Sequence, residues 1–377
     1  MNSLKRLYTI FKIKVKGLLN QAAAIKPHVL FMLMYLKLYC KYNKKSDNKV
    51  VQFNLKHNAK RYLLTLVHHF INDGYKIKLF CSAEVLLSLN KDNYSQKIFK
   101  LKGVCLTLTE VPKNREITLL ADYNINENTI RLDYNYFFSK QSKSVYRIPL
   151  SFHPENLLGG YLDTSLIDSN KSSRGVNLFF LGNLSPESYQ NIQLKECFSV
   201  MSRMEAINTI KDNFDNTKLL IPNSTEDLYK GFTDKIDIIL CDGKAIPVWH
   251  KAYFKLLEQT NFFLASSGVI MPHSHNVIEA MAAGCIPLIE YGDWFTPPLE
   301  HNVNAIAFEG SEDLVNKIKY ILTLTEIDIA KLRQGVLDYY YNNLTPEAVI
   351  NHVLYREYSE LYLNSEGLSV SLMQKNV

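Results

Sequence analysis

Hydrophobic and polar positions alternate in short blocks along the chain, and the period of the blocks changes. Residues 50–56 (VVQFNLK) read as a strand, His57 and Asn58 as a short loop, and residues 59–73 as a helix. Leu63, Leu64, Val67, Phe70 and Ile71 fall on one helical face, and Gly74 supplies the stop. Residues 75–81 (YKIKLFC) return to β-branched and aromatic side chains and predict a second strand. Strand, helix and strand in this order seed a parallel sheet. Further strands are predicted at 103–109, 117–121 and 145–150, with no long capped helix evident between them.

The pattern restarts after residues 149–154 (PLSFHP) and the Gly159-Gly160 pair, where a domain junction is placed. Residues 177–183 (NLFFLGN) predict a strand ending in a glycine turn, followed by a helix over 200–213. Strands at 236–240 and 262–266 bracket a helical stretch at 248–259 that contains Trp249, Tyr253 and Leu257. A helix over 275–283, a stop at Gly284 and a strand over 285–289 come next, then helices over 311–323 and 325–341. Thr345 and Pro346 supply an N-cap and a first helical residue for a last helix reaching to about 363. This alternation predicts a second parallel sheet. The division is an N-terminal extension over 1–48, domains over 49–150 and 151–344, and a C-terminal helix and tail over 345–377.

Composition narrows the class. A hydrophobic content of 47% over 377 residues excludes a disordered chain, and no apolar run reaches the length of a membrane span. Charge is unevenly placed: residues 1–61 hold 14 of the 43 Lys and Arg against one acid, Asp47, while the remainder is mildly acidic. In residues 4–20 and 27–40 the basic residues interleave with long aliphatic ones. That pattern predicts one or two interfacial helices, with residues 1–40 facing an anionic membrane surface; packing on the globular body is the alternative. The interleaving favours lipid over nucleic acid. Six scattered cysteines without a CxxC pair point to buried thiols, a reducing cytoplasmic compartment and no structural zinc.

Chemistry concentrates in residues 267–289 (SGVIMPHSHNVIEAMAAGCIPLI). Ser274, His275 and Asn276 open a helix directly after a glycine-containing loop. Unpaired N–H groups and the helix dipole favour an anion there, such as a diphosphate. Glu279 lies one turn further on the face of His275, placed to accept hydrogen bonds from ribose hydroxyls. The small residues Ala280, Ala282, Ala283 and Gly284 let the helix lie close to a sheet. An ordinary amphipathic helix with a solvated Glu279 is the plainer alternative.

The run H-N-x-x-E-A-M-A-A-G-C-I-P-L-I resembles the donor-binding segment of GT-B glycosyltransferases, especially the exostosin-like group with its E-A-x-x-x-G-C-I-P-V-I run. The likeness extends over roughly 145–320, through residues 178–183, Ser202-Arg203 and residues 297–299. It implies an α/β fold of the GT-B kind, with two Rossmann-like parallel-sheet domains facing a central cleft and a basic helical extension in front. It implies transfer of a sugar from a nucleotide-diphosphate donor to a hydroxyl of a glycan or lipid-linked glycan acceptor, as in bacterial surface polysaccharide (O-antigen or capsule) assembly on the inner membrane face. Arg203, Ser274, His275, Asn276 and Glu279 are then the donor contacts, with Arg203 suited to bidentate phosphate binding. Many retaining members carry a second glutamate eight residues earlier, where this chain has Met271, so the stereochemical outcome stays open. No D-x-D pair occurs, so no metal and no cofactor beyond the donor is expected.

For the base that deprotonates the acceptor, two residues compete. His57 follows the first strand, where some inverting GT-B families place a histidine, and Asp122 ends the apolar run ITLLAD. His153, Asp242-Gly243, Tyr291, Asp293 and Trp294 are secondary candidates for lining the site or packing its loops. A nucleotide-sugar epimerase of the same fold and a non-catalytic glycan-binding or scaffold subunit at the membrane remain the competing functions.

Overall fold

The computed structural model describes residues 29, 32–36, 49–112, 114, 116–138, 144–161, 174–189, 192–248, 250–355 and 358–375. The basic extension over 1–48 and the membrane-facing helices of 1–40 lie outside these residues, except that 29 and 32–36 are helical. Trp249 also lies outside them. Among the described residues no helix is long and apolar enough to cross a membrane.

The described strands are β1 (Val50–Leu55), β2 (Lys76–Cys81), β3 (Val104–Leu106), β4 (Thr118–Ala121), β5 (Ile130–Asp133), β6 (Val145–Arg147) and β7 (Val176–Gly182) in the first part of the chain. They continue as β8 (Leu219–Leu220), β9 (Ile238–Asp242), β10 (Thr260–Ala265), β11 (Ile286–Ile289), β12 (Ile306–Ala307) and β13 (Glu360–Tyr362). They form a seven-stranded sheet in the order β3-β2-β1-β4-β5-β13-β6 and a six-stranded sheet in the order β12-β11-β10-β7-β9-β8. Every strand pairing within the two sheets is parallel. The protein is therefore an α/β chain with two parallel sheets, one in each of two compact units.

The first unit is built on β1–β6 and β13, and takes in Ile350–Ser369. Val51, Phe53 and Leu55 of β1 are buried. The helix Lys60–Asn72 lays Phe70 edge-on against Phe53 at 5.7 Å and against Tyr75 at 5.3 Å. A helix that the sequence pattern did not reveal, Ala83–Lys91, is capped by Ser82, whose hydroxyl accepts from the Val85 N–H. The expected strands shorten to Val104–Leu106 and Val145–Arg147, and β5 was not foreseen.

The expected last helix needs correction. It starts as predicted, with the Thr345 hydroxyl accepting from the Ala348 N–H, but it ends at Leu354 and not near 363. The chain then returns as β13 between β5 and β6, with Leu361 opposite Leu132 and Tyr146. Strand was favoured over helix because the slot between β5 and β6 pairs the backbone of 360–362 on both sides.

The second unit is built on β7–β12, within Pro149–Val349. β10 is buried at all six positions, as a strand covered on both faces should be. The helix Arg203–Asn213 starts at Ser202, whose hydroxyl accepts from the Glu205 N–H. Gly284, at a φ of 72°, terminates the helix His275–Ala282 in the left-handed region and turns the chain into β11. The helix Glu326–Asn343 opens with a capping box between Thr325 and Asp328.

Candidate functional site

The first unit brings the two rival bases together. His57 follows β1 and Asp122 follows β4, its parallel neighbour, so both residues stand at the carboxyl end of the sheet. His57 Nδ1 lies 3.2 Å from Asp122 Oδ2. The Asp122 side chain is fully buried while that of His57 is 51% exposed. Asp122 also accepts the backbone N–H of Lys56 at 2.8 Å, the backbone N–H of His57 at 2.9 Å and the Tyr134 hydroxyl at 2.9 Å. A carboxylate that only accepts draws the proton of the imidazole to Nδ1 and leaves the Nε2 lone pair as the basic atom. Tyr134 completes the mount, with its ring edge-on to the imidazole at 5.4 Å. Sequence reasoning missed Tyr134, because its partners lie 12 residues and more away along the chain.

The second unit gathers the predicted donor residues at the carboxyl ends of its strands. Ser274 is the N-cap of the helix His275–Ala282, in extended conformation and without a side-chain capping bond. Asn276 donates from Nδ2 to the Leu181 carbonyl at 2.7 Å and so ties the helix start to the end of β7. His275 is half-buried, its ring 4.8 Å from that of His153.

Glu279 is not solvated. It is 2% exposed, and Oε1 accepts from Asn156 Nδ2 at 2.6 Å and from the His153 N–H at 2.9 Å. Burial pushes its carboxyl up to about 7, although both hydrogen bonds act in the opposite sense. Both bonds fall on Oε1 and neither on Oε2. His153 is thus a backbone partner of Glu279 and the N-cap of the helix Pro154–Leu158.

Arg203 is 4% exposed. Its guanidinium donates to Ser266 Oγ at 3.0 Å, the Asn183 carbonyl at 3.1 Å and the Ser267 carbonyl at 3.0 Å, and lies 3.8 Å over the Tyr189 ring. It bridges the turn after β7 to the loop after β10, and Gly182 leaves room for it, since a Cβ there would stand 3.2 Å from Nη1. No carboxylate pairs with this cation among the described residues.

The secondary candidates have local tasks. Asp242 accepts the N–H groups of Leu184 and Lys244, so it shapes the turn after β9. Tyr291 and Trp294 are buried in an aromatic cluster with Phe137, Phe198, His273 and Phe295. Glu290, which the sequence reading passed over, holds the Met201 and Gly310 N–H groups, and burial raises its carboxyl. Among the described residues no group of three or more His, Cys, Asp or Glu is placed to hold a metal ion.

No family model matches the chain, and no curated protein matches it. Solved structures do resemble it at low identity. Anabaena HepE in complex with UDP and glucose is 12% identical, with 81% of this chain and 98% of HepE covered and a TM-score of 0.40. The N-terminal domain of Candida albicans trehalose-6-phosphate phosphatase is 10% identical, with 84% and 99% covered and a TM-score of 0.41. A glycosyltransferase from Rickettsia africae is 11% identical, with 82% and 98% covered and a TM-score of 0.38.

Proposed function

We propose that the protein is a GT-B-type glycosyltransferase that moves a sugar from a nucleotide-diphosphate donor to a hydroxyl of a glycan acceptor. The observation that carries this reading is Arg203: a buried cation with no carboxylate partner among the described residues, at the carboxyl ends of β7 and β10. Neutral oxygens and the Tyr189 ring hold the guanidinium, and a diphosphate would add the counter-charge they lack. Asn276 anchors the N-terminus of the helix His275–Ala282 to the same end of β7, where the helix dipole would add to the anion's stabilisation. Glu279 Oε2 would accept the ribose hydroxyls of the nucleotide.

In the transfer, His57 Nε2 takes the proton of the acceptor hydroxyl. The acceptor oxygen attacks the anomeric carbon, and the bond from that carbon to the diphosphate oxygen breaks. The electron pair leaves with the nucleoside diphosphate. Direct attack of this kind inverts the anomeric centre. Asp122 steadies the imidazolium formed on His57, the part a buried carboxylate plays in other histidine-based sites. The donor set holds its charge with a guanidinium and backbone dipoles and is read as metal-independent. The finer context is a bacterial surface polysaccharide, O-antigen or capsule, with a lipid-linked acceptor and residues 1–40 on the cytoplasmic face of the membrane. The interleaved basic and aliphatic residues of that segment support it.

The test is a thermal-shift panel of UDP, GDP, CMP and dTDP, with and without Mg²⁺, on wild type and Glu279→Gln. Gln keeps an oxygen for the Asn156 and His153 donors, so the fold is spared. Stabilisation by one nucleotide without metal, reduced about tenfold in affinity in the variant, is expected. No shift at millimolar nucleotide, or an unchanged shift in the variant, would overturn the donor site.

A further inference from the structure

The interior strand β1 carries two side-chain amides where a sheet covered on both faces normally takes aliphatic residues. Gln52 is 1% exposed and Asn54 is fully buried. Gln52 Nε2 lies 2.9 Å from Asn54 Oδ1, 2.9 Å from the Thr109 carbonyl and 2.8 Å from the Glu110 carbonyl, and Asn54 Nδ2 donates to that same Glu110 carbonyl at 2.8 Å. An aliphatic pair would hold β1 in the sheet without burying polar groups. What the amides add is position: they fix two carbonyls of the loop that follows β3.

That loop points its chemistry toward the His57 mount. Glu110 is exposed, and its Oε1 accepts the Tyr123 hydroxyl at 2.8 Å. Tyr123 is the neighbour of Asp122, and Lys56, the neighbour of His57, sets its ammonium 4.1 Å from the centre of the Tyr123 ring. Exposed Leu108 and Val111 flank Glu110 at 62% and 48%. Carboxylate, phenol and ammonium beside two apolar side chains match the polar rim and apolar faces of a sugar ring, at the strand ends where parallel sheets take ligands.

We propose that Glu110 and Tyr123 form a sugar-hydroxyl subsite that selects the acceptor and turns its reacting hydroxyl toward His57. Glu110 Oε2 accepts from a ring hydroxyl, Tyr123 supplies the second polar contact, and Leu108 and Val111 cover an apolar ring face. Gln52 and Asn54 are positioning residues that act through the loop backbone. The inference rests on the glycosyl-transfer reading of the His57–Asp122 pair.

The probe is a panel of methyl glycosides (glucoside, galactoside, mannoside, rhamnoside, fucoside and N-acetylglucosaminide) presented to the full chain and read by saturation-transfer NMR. Glu110→Gln is the first variant, at an exposed side chain, and Tyr123→Phe the second, keeping the ring under Lys56. At least one glycoside is expected to bind wild type, with affinity falling tenfold or more in Glu110→Gln and less in Tyr123→Phe. No glycoside binding to wild type, or equal binding by Glu110→Gln, overturns the subsite. The nucleotide panel separates this inference from its premise. Glycoside binding that depends on Glu110 without any nucleotide shift keeps the sugar subsite and removes the transfer reading. A nucleotide shift without glycoside binding does the reverse.

Discussion

The helix Lys60–Asn72 buries two adjacent histidines, and the protein should be sensitive to acid because of them. His69 has no exposed surface, and neither of its ring nitrogens has a hydrogen-bond partner among the described residues; Nδ1 of His68 is in the same state. Burial, with His68 beside it, pushes His69 from 6.5 down to about 3, and burial pushes His68 down to about 4. Below pH 6.5 the unfolded chain therefore binds protons that the folded helix refuses, and stability falls with pH until the folded values are reached. Each histidine costs about 1.4 kcal/mol per pH unit in that window. At about pH 4.5, two units down, His69 alone removes about 3 kcal/mol, a large part of the roughly 5–15 kcal/mol a domain has. His69→Leu conserves most of the volume and deletes both unpaired nitrogens. The variant is expected to be more stable at neutral pH by about 1–3 kcal/mol and to lose about 3 kcal/mol of the acid sensitivity. Urea unfolding at pH 7.5 and 4.5 measures both. The chain's two tryptophans, Trp249 and Trp294, fall in the sequence of the second unit, so a circular-dichroism transition absent from tryptophan fluorescence belongs to the first. Parallel loss of stability in wild type and His69→Leu over this interval would refute the account.

Asp122→Asn should lower transfer by about 10²–10⁴-fold, because an amide can donate to Nδ1 and favour the tautomer with its proton on Nε2. Steady-state rates across pH would show it, and a rate within a few-fold of wild type would make Asp122 a structural anchor only. Gly335→Ala, in the helix Glu326–Asn343, should destabilise although Ala is the better helix former. A Cβ there runs into the Val303 carbonyl oxygen, and overpacking against backbone costs about 1–3 kcal/mol or more, beyond the roughly 1 kcal/mol of helix propensity gained. A raised unfolding midpoint would contradict the packing argument.

Wherever neighbours in sequence decide the structure, the chain could be read directly. Residues 275–289 are the clearest case: an apolar helical face, a glycine that takes a φ of 72°, then a buried strand. All three features depend only on residues within a few turns, so periodicity and glycine placement suffice. The first β-α-β unit and the Thr345 cap were legible for the same reason. Ser82 was a local signal too, and its cap was overlooked because the helix it opens is only nine residues long.

Tertiary contacts decided the rest. Residues 360–362 became a strand because a slot between β5 and β6 stood open to them, more than 200 residues away in sequence. His57 and Asp122 read as competitors, yet parallel pairing of β1 with β4 puts them in one hydrogen-bonded pair. Gln52 and Asn54 could have drawn notice as polar residues inside an apolar strand, but their partners at 109 and 110 follow from the pairing of β1 with its neighbours. Glu279 was legible as a residue on a helix face; its burial and its raised carboxyl came from a helix start at 153–156, on the far side of the β7 strand in sequence. The physical reason is common to all four. Local propensity and periodicity act over a turn or two, whereas solvent exclusion and hydrogen-bond pairing depend on which distant segments the sheets bring side by side.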